Sequence, residues 1–212
     1  MIKTTETSGW RQARRRSARD AIVEAAWALV REEGLAGLSL RDLARRAGIS
    51  PPTVYVYFDS KNAIYDAMFG AAAAQFAGRM AEPYPGEDPR ELLVAGARRF
   101  AEFCTSDLER YQLLFQRCVP GFEPSPQSYA PALRALDGAR DTLALNGITD
   151  ARYLDLWTAL ITGLVSQQVS NDPGGDRWAS LIEESVAMFL THCQPAAGKS
   201  APGPARAEGA LS

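Results

Sequence analysis

Residues 48–68 read "GISPPTVYVYFDSKNAIYDAM", and this stretch decides the fold of the N-terminal part of the chain. Gly48 is a turn residue that tolerates positive φ, and Ser50 can cap a helix whose first positions are Pro51 and Pro52. Proline is accommodated there because the first amides of a helix have no intrahelical partner. The two prolines therefore predict the start of a short helix.

The short helix has two different faces. Val54 and Phe58 lie four residues apart, so they share one side of the helix, which we expect to be buried. The other residues of the segment face largely outward: Thr53, Tyr55, Val56 and Tyr57. A polar and aromatic outer face on so short a helix indicates a surface that is presented to a partner.

The residues before this stretch predict two more helices. Residues 18–33, "ARDAIVEAAWALVREE", repeat apolar side chains with a 3.6-residue period, and Gly34 ends that helix. In the next segment Ser39 and Asp42 have the spacing of a capping box, which predicts a two-turn helix. Two short helices joined by a turn that contains glycine form a helix-turn-helix.

The residues after this stretch also predict helices. A longer helix begins near Lys61, and "EPYPGEDP" is typical of a connector. Further helices are expected over residues 90–104, 107–118, 131–145, 150–169 and 176–193, without strand-like alternation. We therefore expect an all-α fold with a three-helix N-terminal domain over 1–66, a larger helical domain over 67–194, and a disordered tail over 195–212.

The charge of the chain is distributed unevenly. The formal net charge is −2, but residues 1–61 carry 11 Lys and Arg against 7 Asp and Glu, a net charge of +4, whereas the remainder carries 12 against 18, a net charge of −6. This asymmetry indicates a basic binding module joined to an acidic body. The sequence contains neither a membrane-length apolar run nor a signal peptide, so we expect a cytoplasmic protein.

The residue types that support catalysis or metal binding are sparse. The three cysteines, Cys104, Cys118 and Cys193, form no C-x-x-C pair, so we expect reduced, mostly buried thiols, with a redox-sensing thiol as the alternative. The single histidine is His192, and the sequence lacks G-x-S-x-G, P-loop and H-E-x-x-H motifs. The sequence therefore predicts no enzyme, no cofactor and no metal site, although an enzyme that uses the helical body is kept as an alternative.

The segment "LSLRDLARRAGISPPTVYVYFDSKNAIYDAM", preceded by "AIVEAAWALVREEG", closely resembles the N-terminal DNA-binding domain of TetR-family transcriptional regulators. The resemblance covers about residues 18–68, while the C-terminal part resembles the family only in helical pattern and length. It implies that the third helix enters the major groove of DNA. The DNA-binding residues expected are Ser39, Arg41, Pro52, Thr53, Tyr55, Val56, Tyr57 and Lys61, together with Arg14, Arg15 and Arg16.

These residues have different expected roles at the DNA. By the resemblance, Arg41 is the candidate for reading a base, since arginine can pair bidentately with guanine, and its alternative is a solvated side chain. Tyr55, Tyr57 and Lys61 are interpreted as phosphate anchors, with a partly buried Tyr57 as the alternative. Val56 offers apolar surface to a thymine methyl or fills solvent-facing space. The five arginines of the N-terminal stretch contact the DNA backbone or form a solvated arm: Arg11, Arg14, Arg15, Arg16 and Arg19.

The body of the chain carries two further predictions. The resemblance implies that the last two long helices pair with their copies in a homodimer, through Leu154, Thr158, Ile161, Thr162, Val165, Leu181, Ile182, Val186 and Phe189, and the alternative is the core of a single chain. Aromatic residues could line an apolar ligand pocket: Phe100, Phe103, Tyr111, Phe115 and Trp157. The predicted function is a repressor that an apolar or aromatic molecule releases from a palindromic operator, and the alternative is a DNA-binding regulator without a small-molecule effector.

Overall fold

The computed structural model describes residues 4–193, and side chains are described from Gly9 onward. The described residues form α-helices and two 3-10 turns, at Leu35–Gly37 and Ala179–Leu181. The helices are α1 (Thr4–Glu33), α2 (Leu40–Arg46), α3 (Pro51–Tyr57), α4 (Lys61–Met80), α5 (Pro89–Thr105), α6 (Leu108–Phe115), α7 (Pro126–Leu145), α8 (Ala151–Asn171) and α9 (Ile182–Cys193). The predicted all-α class is confirmed, and the tail predicted over 195–212 lies outside the described residues.

Two helix starts differ from the prediction. The first helix begins at Thr4, not near Ala18, so the arginine-rich stretch is helical. Residues 11–16, "RQARRR", consist of good helix formers, which favours a helix without an apolar stripe over that part. α7 begins at Pro126, where Ser125 caps it by accepting a hydrogen bond from the Ser128 amide, and the helix continues through Pro131.

Two apolar cores lie one after the other along the molecule. The first, called the head core, contains Trp27, Leu43, Val54, Phe58 and Tyr65 among its buried residues. The second, called the body core, is built around Phe76, Phe103, Tyr111, Trp157 and Phe189. The head core belongs mainly to α1–α4 and the body core to α4–α9.

The long helix α4 joins the two cores without a break. Its N-terminal half contributes Ile64, Tyr65 and Met68 to the head core, and Phe76 near its C-terminal end lies in the body core. Ser60 caps the helix by accepting a hydrogen bond from the Ala63 amide. In the part of the chain that the structure describes, no helix is long and apolar enough to cross a membrane.

Candidate nucleic-acid interface and ligand cleft

The predicted helix-turn-helix forms from α2 and α3. The Ser39 hydroxyl caps α2 by accepting a hydrogen bond from the Asp42 amide at 3.4 Å. Gly48 adopts a φ of +67° in the turn, and Pro51 opens α3 as the sequence indicates. Val54 is fully buried and Phe58 is 2% exposed, so the apolar side of α3 is fixed against the head core.

The opposite face of α3 is open to solvent. Tyr55 is 54% exposed and Val56 is 64% exposed, and Pro52 is also exposed. Thr53 is half-buried, and its hydroxyl lies 2.7 Å from the Ser50 hydroxyl. Large side chains left open on a helix whose other face is fixed form a surface suited to contact with a partner.

The other predicted DNA contacts on α2, α3 and α4 differ in how exposed their side chains are. Tyr57 is half-buried and packs against the head core, as its alternative interpretation expected. The Lys61 ammonium lies 5.6 Å from the centre of the Tyr65 ring, and Arg41 is exposed on α2. Two other arginines of α2 form ion pairs, Arg45 with Asp42 at 2.7 Å and Arg46 with Glu32 at 2.5 Å.

The N-terminal arginines do not form a separate arm. They lie on α1, and Arg14 and Arg16 are exposed, with the Arg14 guanidinium 5.5 Å from the Trp10 ring centre. Arg15 instead donates a hydrogen bond to the Val56 carbonyl at 3.3 Å, and Arg19 donates one to the Tyr57 carbonyl at 2.5 Å. Two of these arginines, the exposed Arg15 and the half-buried Arg19, therefore contact the C-terminal end of α3.

The predicted aromatic pocket is filled by its own side chains. Phe76, which the sequence interpretation did not include, packs against Phe100, Phe103 and Phe115 with ring centres 5.9, 5.1 and 5.3 Å apart. Tyr111 also contacts the Phe115 ring, at 5.9 Å. The expectation that these rings line one pocket is wrong, because they fill the space between α4, α5 and α6 as packing.

Trp157 is separate from the other predicted pocket residues. It is 7% exposed, and its ring centre lies 5.3 Å from that of Phe189, between α8 and α9. Of the five predicted residues, Phe115 also lines the open cleft between α4, α6 and α7. Trp157 is therefore a packing residue of the body core.

An open cleft of about 600 Å³ lies where α4, α6, the segment 116–125 and α7 meet. Its lining is mainly apolar and comprises Phe69, Leu113, Leu114, Phe115, Gln116, Arg117, Val119, Phe122, Glu123, Pro124, Pro126, Tyr129 and Leu133. Tyr129 and Leu133 are 43% and 46% exposed, and the Tyr129 ring stacks on Phe69 at 6.0 Å. The sequence interpretation missed this cleft because residues 119–130 lie between two of the expected helices, although the aromatic residues Phe122 and Tyr129 in that interval were a usable signal.

The cleft has few polar groups. Arg117 and Glu123 are both highly exposed and lie 3.8 Å apart, and the Gln116 amide donates a hydrogen bond to the Tyr111 hydroxyl at 3.4 Å. An apolar wall with a few polar groups at its edge is the usual composition of a small-molecule site.

One wall of the cleft is tied to α4 by a carboxylate. Asp66 accepts hydrogen bonds from the Ser125 amide at 2.6 Å, the Ser125 hydroxyl at 3.0 Å and the Ser128 hydroxyl at 2.9 Å. Gly70 lies one turn further along α4, and a Cβ atom there would be 3.0 Å from the Ser128 hydroxyl oxygen. The N-terminus of α7 is therefore held close against α4.

Several side chains have shifted pKa values. Burial raises the pKa of Tyr65, whose hydroxyl donates to the Leu35 carbonyl at 2.5 Å. Burial also raises the pKa of the Cys104 thiol, whereas Cys118 is exposed, so the expectation of mostly buried thiols is wrong for Cys118. A hydrogen bond from the Arg177 amide is the main cause of the lowered pKa of Asp172.

The predicted dimer residues need correction. Five of them are buried in the body core of a single chain: Ile161, Val165, Ile182, Val186 and Phe189. Leu154, Thr158 and Thr162 are half-buried, and Leu181 is 37% exposed. The larger apolar residues of both helices turn toward the body, so the alternative of a single-chain core is correct for those five.

A different face of α8 and α9 is open. On α8 it carries Leu156, which is 47% exposed, with the exposed small residues Ala159 and Gly163 one and two turns further along. On α9 it carries Met188, which is 60% exposed. Small residues at this spacing allow two helices to approach closely.

Comparison with known proteins agrees with the helix-turn-helix. The family model described as "Bacterial regulatory proteins, tetR family" matches residues 22–68. The chain is 25% identical over 178 residues to the tetracycline repressor protein class A from transposon 1721 of Escherichia coli, covering 81% of this chain and 76% of that protein.

Solved structures share the fold of the chain. A protein of unknown function from Rhodococcus sp. RHA1 matches with a TM-score of 0.68 and 20% identity, covering 84% of this chain and 96% of that one. The transcriptional regulator FadR from Bacillus subtilis, in complex with stearoyl-CoA, matches with a TM-score of 0.60 and 20% identity, covering 81% and 97%. The sequence match therefore identifies residues 22–68 as a helix-turn-helix of the TetR-family type, and the chain is a DNA-binding transcriptional regulator.

Proposed function

We propose that the protein is a homodimeric repressor that leaves its operator when a small apolar or aromatic molecule binds in the cleft between α4, α6 and α7. The position of this cleft is the observation that supports control of the repressor by a ligand. Its lining residues Leu113, Val119 and Phe122 belong to or pack against the head core, which also holds the buried side of α3. A ligand there would act on the DNA-reading part directly.

The DNA contacts follow from the open face of α3. Pro52 and Val56 offer apolar surface to thymine methyl groups, and the Thr53 hydroxyl can hydrogen-bond a base edge. Arg41 is the candidate for a guanine, while Tyr55, Tyr57 and Lys61 remain candidates for phosphate contacts, with Ser39 beside them at the start of α2. Exposed Arg14 and Arg16 on α1 are further candidates for the DNA backbone.

A homodimer gives this short reading helix enough specificity. One two-turn helix contacts only a few base pairs, so two copies on a palindromic site are needed for useful discrimination. We propose that the dimer forms through the open face of α8 and α9, where Leu156, Gly163 and Met188 are exposed. We propose that residues 1–66 form the DNA-binding domain and residues 67–194 the body, and that the protein acts in the cytoplasm, where its operator lies.

The chemistry of the cleft supports an apolar or aromatic ligand. Phe69 and Tyr129 stack at one side of it and leave an aromatic surface open to solvent, on which a flat apolar molecule could pack. One similar protein is a tetracycline repressor and another was solved in complex with stearoyl-CoA, and both compounds are bulky small molecules, the second with a long apolar chain.

The switch is a shift between two states of the dimer. A ligand weakens DNA binding only by its differential affinity for a state whose two reading helices are wrongly spaced. Two residues of α4 bind the cleft wall. Asp66 accepts a hydrogen bond from the Ser125 hydroxyl, and the Asn62 amide donates one to the Gly121 carbonyl at 3.3 Å. A displaced segment 116–125 would therefore pull on the part of α4 that packs in the head core.

The test of the DNA-binding part is the selection of bound fragments from genomic DNA by the purified full-length protein at near-physiological salt. We expect recovery of one or a few palindromic sites, and we expect Tyr55→Ala and Arg41→Ala to lose them. Arg134→Ala is the matched control, since Arg134 is an exposed arginine on α7. Weak binding without sequence preference in the wild type would contradict the proposal.

The test of the effector is a thermal-shift screen with a panel of apolar and aromatic compounds, because a ligand that binds the folded protein raises Tm increasingly as its concentration rises. Leu133→Trp should abolish the shift by filling the cleft. Leu145→Trp is its control, since Leu145 is 62% exposed on the same helix and does not line the cleft. A hit that raises Tm without releasing DNA, or no hit at all, would favour a regulator without a small-molecule effector.

A further inference from the structure

The recognition helix α3 ends with carbonyl groups that have no helical partner. The helix spans seven residues and stops at Tyr57, and Phe58 is extended, with its amide donating to the Val54 carbonyl. The carbonyls of the last turn of any helix lack intrahelical donors and need another source. For Val56 and Tyr57 that source is α1.

Two arginines of α1 supply the missing donors. The Arg15 guanidinium donates to the Val56 carbonyl at 3.3 Å, and the Arg19 guanidinium donates to the Tyr57 carbonyl at 2.5 Å. The two arginines are four residues apart, so they project from the same side of α1. A positive charge at the C-terminal end of a helix is also favoured by the helix dipole.

Arg19 makes a second contact, with the ring of Phe58. Its guanidinium carbon lies 4.2 Å from the centre of the Phe58 ring, which is 2% exposed, and Arg19 itself is half-buried. One of its five N–H donors is bonded to the Tyr57 carbonyl, and a half-buried guanidinium with one face covered by a buried ring is poorly accessible to a phosphate. Arg14 and Arg16, by contrast, point into solvent.

We infer that Arg19 is a positioning residue, which together with the exposed Arg15 holds the C-terminal turn of α3 at the angle that lets it read DNA, and that Arg19 is not a phosphate contact. The exposed Val56 and the half-buried Tyr57 sit on the turn that these arginines hold. α3 is otherwise fixed to the head core mainly through Val54 and Phe58. Loss of the arginine contacts should therefore change which sequences are read more than how strongly DNA is attracted.

The first test uses the DNA-free protein and needs no operator. Arg19→Met keeps the long apolar stem but removes the donors and the charge, and Arg16→Met is the matched control on the same helix. Amide hydrogen exchange of residues 56–58 should accelerate at least about fivefold in Arg19→Met relative to wild type, with α2 and the Arg16→Met protein unchanged. Equal exchange in all three proteins would overturn the inference.

The second test measures binding to the operator recovered from genomic fragments and to a scrambled duplex of the same length, over a series of salt concentrations. Each phosphate contact contributes about 0.9 to the slope of log affinity against log salt. We expect Arg19→Met to lower operator affinity about tenfold with an unchanged slope and an unchanged affinity for the scrambled duplex. Arg16→Met should reduce both affinities together and flatten the slope.

Arg19→Lys separates charge from geometry, because lysine keeps the charge but cannot stack or reproduce the planar guanidinium. It should behave like Arg19→Met in operator affinity and keep the wild-type slope. If Arg19→Met is not folded, Arg15→Met and Arg19→Lys give the same comparison. A slope flattened by about 0.9 in the Arg19 variants, with both duplexes weakened equally, would identify a phosphate contact and refute the positioning role.

Discussion

The contact between Arg31 and Asp107 ties α1 to the start of α6, and its contribution can be measured. The Asp107 carboxylate accepts hydrogen bonds from the Arg31 guanidinium at 2.7 and 3.1 Å, and its other oxygen caps α6 by accepting from the Arg110 amide at 3.0 Å. The Asp107 side chain is 10% exposed and that of Arg31 is 48% exposed. One carboxylate thus has two separable roles.

The expected free energies follow from those roles. A partly exposed ion pair contributes about 1 kcal/mol at most, and an N-cap contributes about 1 kcal/mol. Asp107→Asn keeps a capping oxygen and loses the ion pair, so the free energy of unfolding should fall by about 1 kcal/mol. Asp107→Ala loses both and should cost about 2 kcal/mol.

A double-mutant cycle isolates the ion pair. Arg31→Met alone should cost about 1 kcal/mol, and adding Asp107→Asn to it should cost little more, since the pair is already broken. The assay is urea unfolding followed by tryptophan fluorescence, at one protein concentration because a dimer is expected. If the two single losses simply add, with a coupling energy within about 0.3 kcal/mol of zero, the ion pair does not join the two parts of the molecule.

Three further outcomes are expected from single substitutions. Gly70→Ala should lower the free energy of unfolding by about 1 kcal/mol in urea, because its Cβ would press on α7, whereas Gly78→Ala, in open space on the same helix, should raise it by about 0.5 kcal/mol. Tyr65→Phe should cost about 1 kcal/mol in the same assay, because the Leu35 carbonyl loses the shorter of its two hydrogen bonds and keeps only the Leu38 amide, at 3.4 Å. The pKa of Asp172 is lowered from its usual 3.8, so the ionised carboxylate stabilises the fold above that pH, and this stabilisation is lost as the pH falls through the lowered pKa. The Tm of Asp172→Asn should therefore drop less than that of the wild type between about pH 5 and pH 3. An equal drop in both proteins, or equal effects of the two glycine substitutions, would contradict these expectations.

The helix-turn-helix could be predicted because its signals are local. The Ser39 cap, the two prolines and the spacing of Val54 and Phe58 act over three or four residues, and the structure agrees with them. The predicted Ser50 cap is the exception: Ser50 stands at the N-cap position of α3, but its side chain makes no capping hydrogen bond. The start of α1 could not be predicted, because the stretch before Ala18 has no apolar stripe and its helix rests on propensity and on contacts with α3. The start of α7 was predicted at Pro131, whereas the helix begins at Pro126 and continues through Pro131.

The packing of the body was harder to predict, because an apolar stripe on a helix does not show which other helix it packs against. On α8 the large residues Trp157, Ile161 and Val165 form the stripe that the sequence makes obvious, and they turn inward. The face left open, with Ala159 and Gly163, is too small and too weakly apolar to stand out. The aromatic residues of α5 and α6 led to the wrong pocket prediction for a similar reason. Rings that line a cavity and rings that fill one have the same spacing in the sequence.

The head core draws on more of the chain than the stretch by which the family is identified. Leu113 of α6 is buried in it, and Phe122, beyond α6, packs on Tyr65 with ring centres 5.7 Å apart. A fragment cut at residue 68 would expose this apolar surface to water and would also lack the α6 carboxylate that holds Arg31. The smallest part of the protein that folds and binds DNA unaided is therefore longer than its recognisable signature, and excising residues 22–68 for biophysical work should yield an aggregating peptide.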